Sequence, residues 1–519
     1  MSGPKEGTTK TIIPEGSGVG EGHHIYKIDG MYYLISTDYR PNGRTLCSRS
    51  KSIWGPYETR VITADETYGY HAASLTQVPR GEKYRIGHDG TKFALGPLDK
   101  DATACTNAHQ GGIVQATDGS WWALFMQDFH SIGRTVCLMP MTWEDGWPMV
   151  GLKGNLGRAP RTWFIPGTAM GYYSIGQPSE KPHAPYVRSD NFDGKTLGRV
   201  WQWNHNPDDK MWSLKGGKLR LTAMPAEQLM WARNTLTQRV IGPKSITTVE
   251  LSVKGLKDGD VAGLGNINVP CSWVGIVKNG KALTLRYFEQ LTNDTIDTEA
   301  SLPAGKIWLR CIGDYDNDQA QYAYSTDGVT YKTVGRMMPL SYQLITFQGS
   351  RHALFAFNTK GVKGGSAEFD NFTVEEPMAD RSGNIPFDKT FRIINMATGR
   401  PAVCDPHGLL YDTHADDRSP RTQFQLIDRG AGTVSLKCVD GRYVKVYGDG
   451  LPGDVRFTTN PKEAEVFVWQ DYLDHQFMLL SMRNHRYIGK SPTTGSPYSM
   501  DFAGPDPARR NGAVLKWEE

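Results

Sequence analysis

Glu21-Gly22-His23-His24-Ile25-Tyr26-Lys27-Ile28-Asp29-Gly30-Met31-Tyr32-Tyr33-Leu34 is the stretch on which the reading of the chain turns. Asp29-Gly30 divides two strand-like runs. Glycine takes positive φ without a Cβ penalty, so the stretch predicts a tight hairpin. A carboxylate, Glu21, and two imidazoles, His23 and His24, stand directly before the first strand. Taken alone, Glu21 reads either as an exposed strand-start carboxylate or as a general acid held at the inner end of a hairpin.

The hairpin recurs. His24, Asp29-Gly30 and Tyr32-Tyr33 are echoed by His109, Asp118-Gly119 and Trp121-Trp122, and Arg44-Thr45-Leu46-Cys47 by Arg134-Thr135-Val136-Cys137. A weaker copy lies midway, with His71, Leu75, the turn Arg80-Gly81 and Tyr84. A period of about 45 residues with several short strands per unit is propeller-blade spacing. Residues 1–165 are therefore expected to form about three blades of a β-propeller. Gly3-Pro4 stands roughly one period before Gly55-Pro56. The chain is thus expected to be N-terminally truncated, opening on the last strand of a blade, because closed propellers have at least about four blades.

Prolines 160, 166, 178, 182 and 185 mark a linker, centred on residues 166–185. Residues 186–378 carry alternating runs such as Thr247-Thr248-Val249-Glu250-Leu251-Ser252-Val253 and frequent turn signals, which predict an antiparallel β-sandwich. Residues 386–519 repeat again. Phe391-Arg392-Ile393, Val434-Ser435-Leu436 and Phe477-Met478-Leu479 are spaced by 43 positions, as are Phe424-Gln425-Leu426 and Phe467-Val468-Trp469, with Leu515-Lys516-Trp517 as a third copy. Three such units predict a β-trefoil. The expected class is all-β throughout.

Composition narrows function mainly by exclusion. A formal net charge of +3 gives no case for nucleic acid or an anionic membrane. No apolar run approaches the roughly 20 residues of a membrane span. The 7 cysteines are scattered without a CxxC pair and do not read as a disulfide framework or zinc site. Met1-Ser2-Gly3-Pro4-Lys5-Glu6 has no apolar signal core.

A propeller gathers inner strands around one axis, so Glu21, His23, His24, His71 and His109 are expected to converge on a funnel. Glycoside hydrolysis needs a protonated carboxyl at the leaving oxygen and a second carboxylate, about 6.5–9.5 Å away when water attacks directly. Glu21 is the candidate acid, and burial in the funnel would favour its protonated form.

The words Glu21-Gly22-His23-His24-Ile25-Tyr26-Lys27, His109-Gln110-Gly111-Gly112, Gly133-Arg134 and Thr142-Trp143-Glu144-Asp145-Gly146-Trp147-Pro148 together resemble glycoside hydrolase family 43. The resemblance implies a five-bladed propeller with inverting β-xylosidase or α-L-arabinofuranosidase activity on arabinoxylan-type oligosaccharides. It implies that Glu21 is the general acid, that His109 stands by an axial calcium or water cluster, and that Arg134 faces the sugar. His24 and His71 are candidate substrate contacts lining the funnel. Arg134 has a twin in Arg44 and also reads as a blade-repeat residue; His109 also reads as a core histidine. The family more often has Pro where His23 stands. Its general base and pKa-modulating Asp come from two earlier blades, whose inner strands the sequence lacks, and Asp38 and Asp128 do not match those motifs. The general base is therefore expected to be missing. Residues 263–275 and 369–372 resemble the concanavalin-like sandwich that follows the propeller in such enzymes. The last segment resembles fascin-like or ricin-type trefoils. The whole reads as a secreted or periplasmic hydrolase; the rivals are a non-catalytic carbohydrate-binding protein and a protein-binding trefoil scaffold.

Overall fold

The computed structural model describes residues 3, 5–13, 20–38, 44–63, 84–86, 92–94, 109–128, 130–156, 187–242, 244–290, 292–299, 302, 305–315, 318–340, 346, 348–376, 385–405, 408–410, 414–430, 432–447, 455–471, 475–489, 499–501 and 512–519. Among these there is no α-helix, only strands and short 3-10 turns. His71, most of the expected middle blade and the 166–185 linker lie outside the described residues.

The first region contributes β1 (Glu21–Ile28), β2 (Met31–Asp38), β3 (Arg44–Ser50), β4 (Glu58–Val61), β5 (Tyr84–Ile86), β6 (Lys92–Ala94), β7 (His109–Gln115), β8 (Trp121–Asp128), β9 (Arg134–Glu144), β10 (Trp147–Leu152) and β11 (Asn155–Leu156). β1 to β4 form one antiparallel meander in sequence order, β7 to β11 a second, and β5 pairs with β6. Asp29 (φ 48°) and Gly30 (φ 81°) make the expected tight turn, since both central positions of a type I′ hairpin need positive φ. Asp145 (φ 53°) and Gly146 (φ 72°) do the same between β9 and β10.

The two meanders pack directly on each other. Tyr33, Ile35 and Cys47 of the first share a core with Ile113, Phe125, Met139 and Val150 of the second. The Tyr33 hydroxyl donates to the Gly146 carbonyl at 3.1 Å, and Arg49 donates to the Asp145 carbonyl at 2.8 Å while stacking over Trp147. Among the described residues, the first and last of the expected units are neighbours.

The second region holds β12 (Gln202–Trp203), β13 (Trp212–Leu214), β14 (Leu219–Thr222), β15 (Met224–Pro225), β16 (Leu236–Arg239), β17 (Lys244–Ser252), β18 (Asp260–Ile267), β19 (Ser272–Asn279), β20 (Ala282–Glu289), β21 (Asp294–Glu299), β22 (Lys306–Asp314), β23 (Gln319–Ser325), β24 (Lys332–Pro339), β25 (Arg351–Asn358) and β26 (Ser366–Glu375). One sheet runs β12-β16-β25-β18-β19-β20-β21, with β15 beside β25; the other runs β13-β14-β26-β17-β22-β23-β24. Leu221, Val249 and Leu251 of the second sheet interleave with Leu264, Val274 and Ile276 of the first, so the region is a sandwich.

The third region comprises β27 (Phe391–Asn395), β28 (Arg400–Pro401), β29 (Val403–Asp405), β30 (Gly408–Leu410), β31 (Gln423–Gly430), β32 (Thr433–Cys438), β33 (Tyr443–Val446), β34 (Val455–Thr458), β35 (Phe467–Asp471), β36 (Gln476–Ser481), β37 (Tyr487–Gly489), β38 (Ser499–Asp501) and β39 (Leu515–Glu518). β27 pairs with β31 and β39, β31 with β32, β32 with β35, β35 with β36, and β36 with β39. These six strands close a barrel, which removes every sheet edge from the ring. The triplets spaced at 43 positions are its staves, and Phe391, Phe424, Val434, Phe467 and Phe477 are fully or almost fully buried in it. Burying each such side chain contributes about 1.5–3 kcal/mol.

One cysteine expectation is corrected. Cys404 and Cys438 form a disulfide within the barrel, their Cα atoms 6.3 Å apart. The neighbouring strands bring two residues of unremarkable spacing side by side. Cys47, Cys137, Cys271 and Cys311 are buried free thiols.

Candidate active site at two strand-start bulges

β1 and β7 begin with the same irregularity. The β1–β2 register slips between Glu21 and His24, and the β7–β8 register slips between His109 and Gly112. A bulge re-aims side chains at a strand end. Here it explains the glycines of both motifs. Gly22 takes φ +67°, which glycine adopts freely, and its missing Cβ leaves room for the Gln110 side chain. At Gly111 a Cβ would run into the Leu124 carbonyl, and at Gly112 into the Tyr26 hydroxyl. That hydroxyl accepts from the Ile113 amide at 3.0 Å, tying the two bulges together.

The residue between His109 and Gly111 is the pivot. Gln110 holds φ 53°, uncommon for a residue with a side chain. Its amide donates to Thr37 Oγ1 at 3.2 Å, fixing it to the first sheet. Its side-chain Nε2 donates to Glu21 Oε1, and its Oε1 accepts from Arg134 Nη1 at 3.4 Å. A hydrogen-bonded line therefore runs Glu21–Gln110–Arg134 across the seam between the sheets. The sequence reading passed over Gln110, although the shared bulge words, Glu-Gly-His-His and His-Gln-Gly-Gly, were the available signal.

The other candidates sit around this line. His24 is exposed, with Nδ1 3.8 Å from where a Gly112 Cβ would stand. His23 Nδ1 lies 2.8 Å from Ser36 Oγ, which fixes that ring against β2. His109 is fully buried, and burial, followed by the Arg134 charge, pushes its pKa down to about 4. It is neutral at ordinary pH. Arg134 is half-buried at the start of β9, just after the 3-10 turn His130–Ile132. The structure thus gathers Glu21, His24, His109 and Arg134; His71 lies outside the described residues. Glu21 itself is exposed, unlike the buried acid expected from a funnel. Trp122 and Trp147 belong to the core, and Trp143 packs edge-on against Tyr33 and Trp121.

Calcium takes about 6–8 oxygen ligands. His109 supplies only imidazole nitrogens, and among the described residues no group of three or more His, Cys, Asp or Glu side chains is arranged to hold a metal. The described residues do not fit a calcium cage.

The sandwich reaches this region. The Ser350 amide donates to the Ser131 carbonyl at 2.7 Å, the Ser131 amide donates to Asp318 Oδ1 at 3.0 Å, and Arg239 Nη2 donates to the Arg134 carbonyl at 3.3 Å. Gly133, at φ +80°, lets its backbone approach Gly349 with no Cβ between them.

Comparison with known proteins places these features. Residues 189–375 match the family profile described as the beta xylosidase C-terminal concanavalin A-like domain. A putative beta-xylosidase of Xylanibacter ruminicola is 29% identical over 343 residues, 64% of this chain and 55% of that protein. A non-reducing end alpha-L-arabinofuranosidase of Bacteroides ovatus is 32% identical over 236 residues, 42% of this chain and 36% of that protein. Among solved structures, a "Bifunctional GH43-CE" protein of Bacteroides eggerthii matches 82% of this chain and 47% of its own at 27% identity and a TM-score of 0.56. The chain spans only 55% of the length of the Xylanibacter protein. It is similar to glycosidases of family 43 in sequence and in fold.

Proposed function

We propose that the protein acts as a glycoside hydrolase on terminal β-xylosyl or α-L-arabinofuranosyl units of arabinoxylan-type oligosaccharides, with Glu21 as the general acid. The observation that carries this reading is the Glu21–Gln110–Arg134 line, which joins the two strand-start bulges and sets one carboxyl at an open seam beside a guanidinium. The similarity to a putative beta-xylosidase and to an arabinofuranosidase supports the substrate class.

In this reading the two meanders, within residues 1–165, are blades of a partial five-bladed β-propeller. Residues 166–185 link them to the sandwich of residues 186–378, and the six-stranded barrel of residues 386–519 is a β-trefoil. The threefold repeat supports the trefoil, because each copy supplies two staves of the ring. The disulfide supports a secreted or periplasmic location, since such bonds persist in oxidising compartments.

Chemically, Glu21 protonates the glycosidic oxygen as the bond to the anomeric carbon breaks. Gln110 holds one carboxyl oxygen, Oε1, and so orients the carboxyl that delivers the proton. Arg134, with His24, contacts the sugar hydroxyls. Inversion requires a second carboxylate to take a proton from the attacking water. That base is assigned to none of the described residues.

The test is Glu21→Gln assayed on alkyl and aryl glycosides. A positioned general acid contributes about 10²–10⁴-fold, so alkyl glycosides, whose leaving groups need the proton, should lose that much. Near-normal turnover of the alkyl glycoside would sink the assignment.

A further inference from the structure

Beneath the Arg134 carbonyl the sandwich presents arginines where a sheet ordinarily avoids them. Arg239 closes β16 and Arg351 opens β25, and the two are direct partners in the antiparallel register. Directly opposed residues project from the same face, and like charges so placed are destabilising. Arg188 adds a third guanidinium, donating through Nη2 to the Arg239 carbonyl. Among the described residues one carboxylate serves the group: Glu376 Oε1 lies 3.1 Å from Arg188 Nε. Among the described residues neither Arg239 nor Arg351 meets a carboxylate.

Neutral groups hold Arg351 instead. Its Nε donates to Thr237 Oγ1 at 2.8 Å and its Nη2 to Gln202 Oε1. Only 8% of Arg351 is exposed, so a charged side chain is largely withdrawn from water with no ion-pair partner among the described residues. Burial first, then the Arg239 charge, pushes its pKa down to about 10. Arg239 is exposed, and one of its nitrogens is spent on the Arg134 carbonyl. Through that carbonyl the Arg239 side chain reaches the backbone of the Glu21–Gln110–Arg134 line. A paired set of guanidiniums, one of them exposed, that meets no carboxylate among the described residues is a site shaped for a planar, bidentate anion, and a carboxylate is the planar anion that matches the arginine fork.

We propose that Arg239, backed by Arg351, forms a subsite for the carboxylate of an acidic sugar branch, a uronic acid carried by the oligosaccharide whose neutral end enters at Glu21. This rests on the glycosidase reading for the identity of the ligand. Position argues for a substituent rather than a free anion, because the cationic edge is continuous with the candidate active site through the Arg134 backbone. The subsite would let the protein prefer acidic over neutral oligosaccharides.

The experiment is calorimetric titration of the full chain, near neutral pH and low salt, with three probes. These are a xylo-oligosaccharide bearing one glucuronic acid branch, the same oligosaccharide unbranched, and free glucuronate. A charge-assisted bidentate contact at a partly exposed site should favour the branched over the unbranched ligand by about tenfold, and added salt should shrink that ratio. Arg239→Gln should bring the ratio to about one, and Arg239→Lys should restore only part of it, since a point charge lacks the fork. Arg239 is exposed, so these variants test the site without depending on refolding of a buried change at Arg351. Equal affinity for branched and unbranched ligands, or a preference that survives Arg239→Gln, overturns the proposal. So does free glucuronate binding as tightly as the branched oligosaccharide, because that describes an anion site unconnected with saccharide. If neither oligosaccharide binds, the glycosidase reading fails first; if both bind equally, only the subsite does.

Discussion

Gln110→Leu isolates the link between Glu21 and Arg134. Leucine fills a similar volume but can neither donate to Glu21 Oε1 nor accept from Arg134 Nη1. The backbone bond from the Gln110 amide to Thr37 survives the change, so the bulge itself should persist. A hydrogen bond to a charged partner contributes about 1.5–3 kcal/mol, and the exposure of Glu21 argues for the low end of that range. At about 1.4 kcal/mol per decade, the loss is roughly tenfold in kcat/KM.

The signature lies in where that loss falls. With Glu21 as the proposed acid, Gln110, which bonds to it, is a positioning residue whose effect passes through proton delivery. Alkyl glycosides, which need the proton, should lose about tenfold; 4-nitrophenyl glycosides, whose phenolate leaves unaided, should change little. The assay is kcat/KM on both substrate types for Gln110→Leu, Glu21→Gln and the double variant. Because Gln110 acts through Glu21, the double variant should be no slower on alkyl glycosides than Glu21→Gln alone. Equal losses on both substrate types would refute the argument, as would additive losses in the double variant.

Other outcomes follow from the packing. Gly111→Ala should lower stability and disturb Gln110, because its Cβ meets the Leu124 backbone rather than a flexible side chain; an unshifted melting transition with full activity would contradict this. Replacing Cys404 and Cys438 by alanine removes a bridge spanning 34 residues and should lower the barrel's stability by about 3–4 kcal/mol on the chain-entropy estimate, read from the calorimetric transition that dithiothreitol also shifts. Two buried histidines give a pH dependence. Burial, then Arg134, holds His109 down to about 4, and burial, then Arg188, holds His352 down to about 3. The unfolded chain protonates these rings first, at about pH 6.5, so stability is complete above that pH and declines as pH falls towards the folded values. For His109 the loss is at most about 3 kcal/mol. His352→Gln should flatten the decline in urea unfolding of the full chain between pH 7 and 4, and an unchanged slope would count against the assignment.

What the sequence displayed was local or periodic. The Asp29-Gly30 turn was legible because positive φ at two successive positions demands a particular residue pair. The barrel staves were legible because a ring of near-equal units forces the same buried residues to recur, as Phe391, Val434 and Phe477 do. Recurrence says nothing of which repeats touch. Hence the direct packing of β1–β4 on β7–β11 was missed, and with it the meeting of Cys404 and Cys438, which depends on strands lying side by side.

The site divides along the same line. Glu21 and His109 could be picked out because each stands at the start of a recurring hairpin, in words that resemble family 43. Gln110 could not be, because its role exists only once Thr37 and Glu21, from the other sheet, are set against it. Arg239 and Arg351 are more hidden still. They lie 112 positions apart, and only the register of β16 on β25 makes them opposed charges. The surroundings of Glu21 are therefore non-local. A glutamine holds one oxygen, an arginine bonds behind the glutamine, and a sandwich strand anchors that arginine's backbone. If Glu21 is the acid we propose, the sandwich is part of the active-site wall. Disrupting the Ser131–Asp318 and Ser131–Ser350 contacts should then move activity before it moves the stability of either sheet.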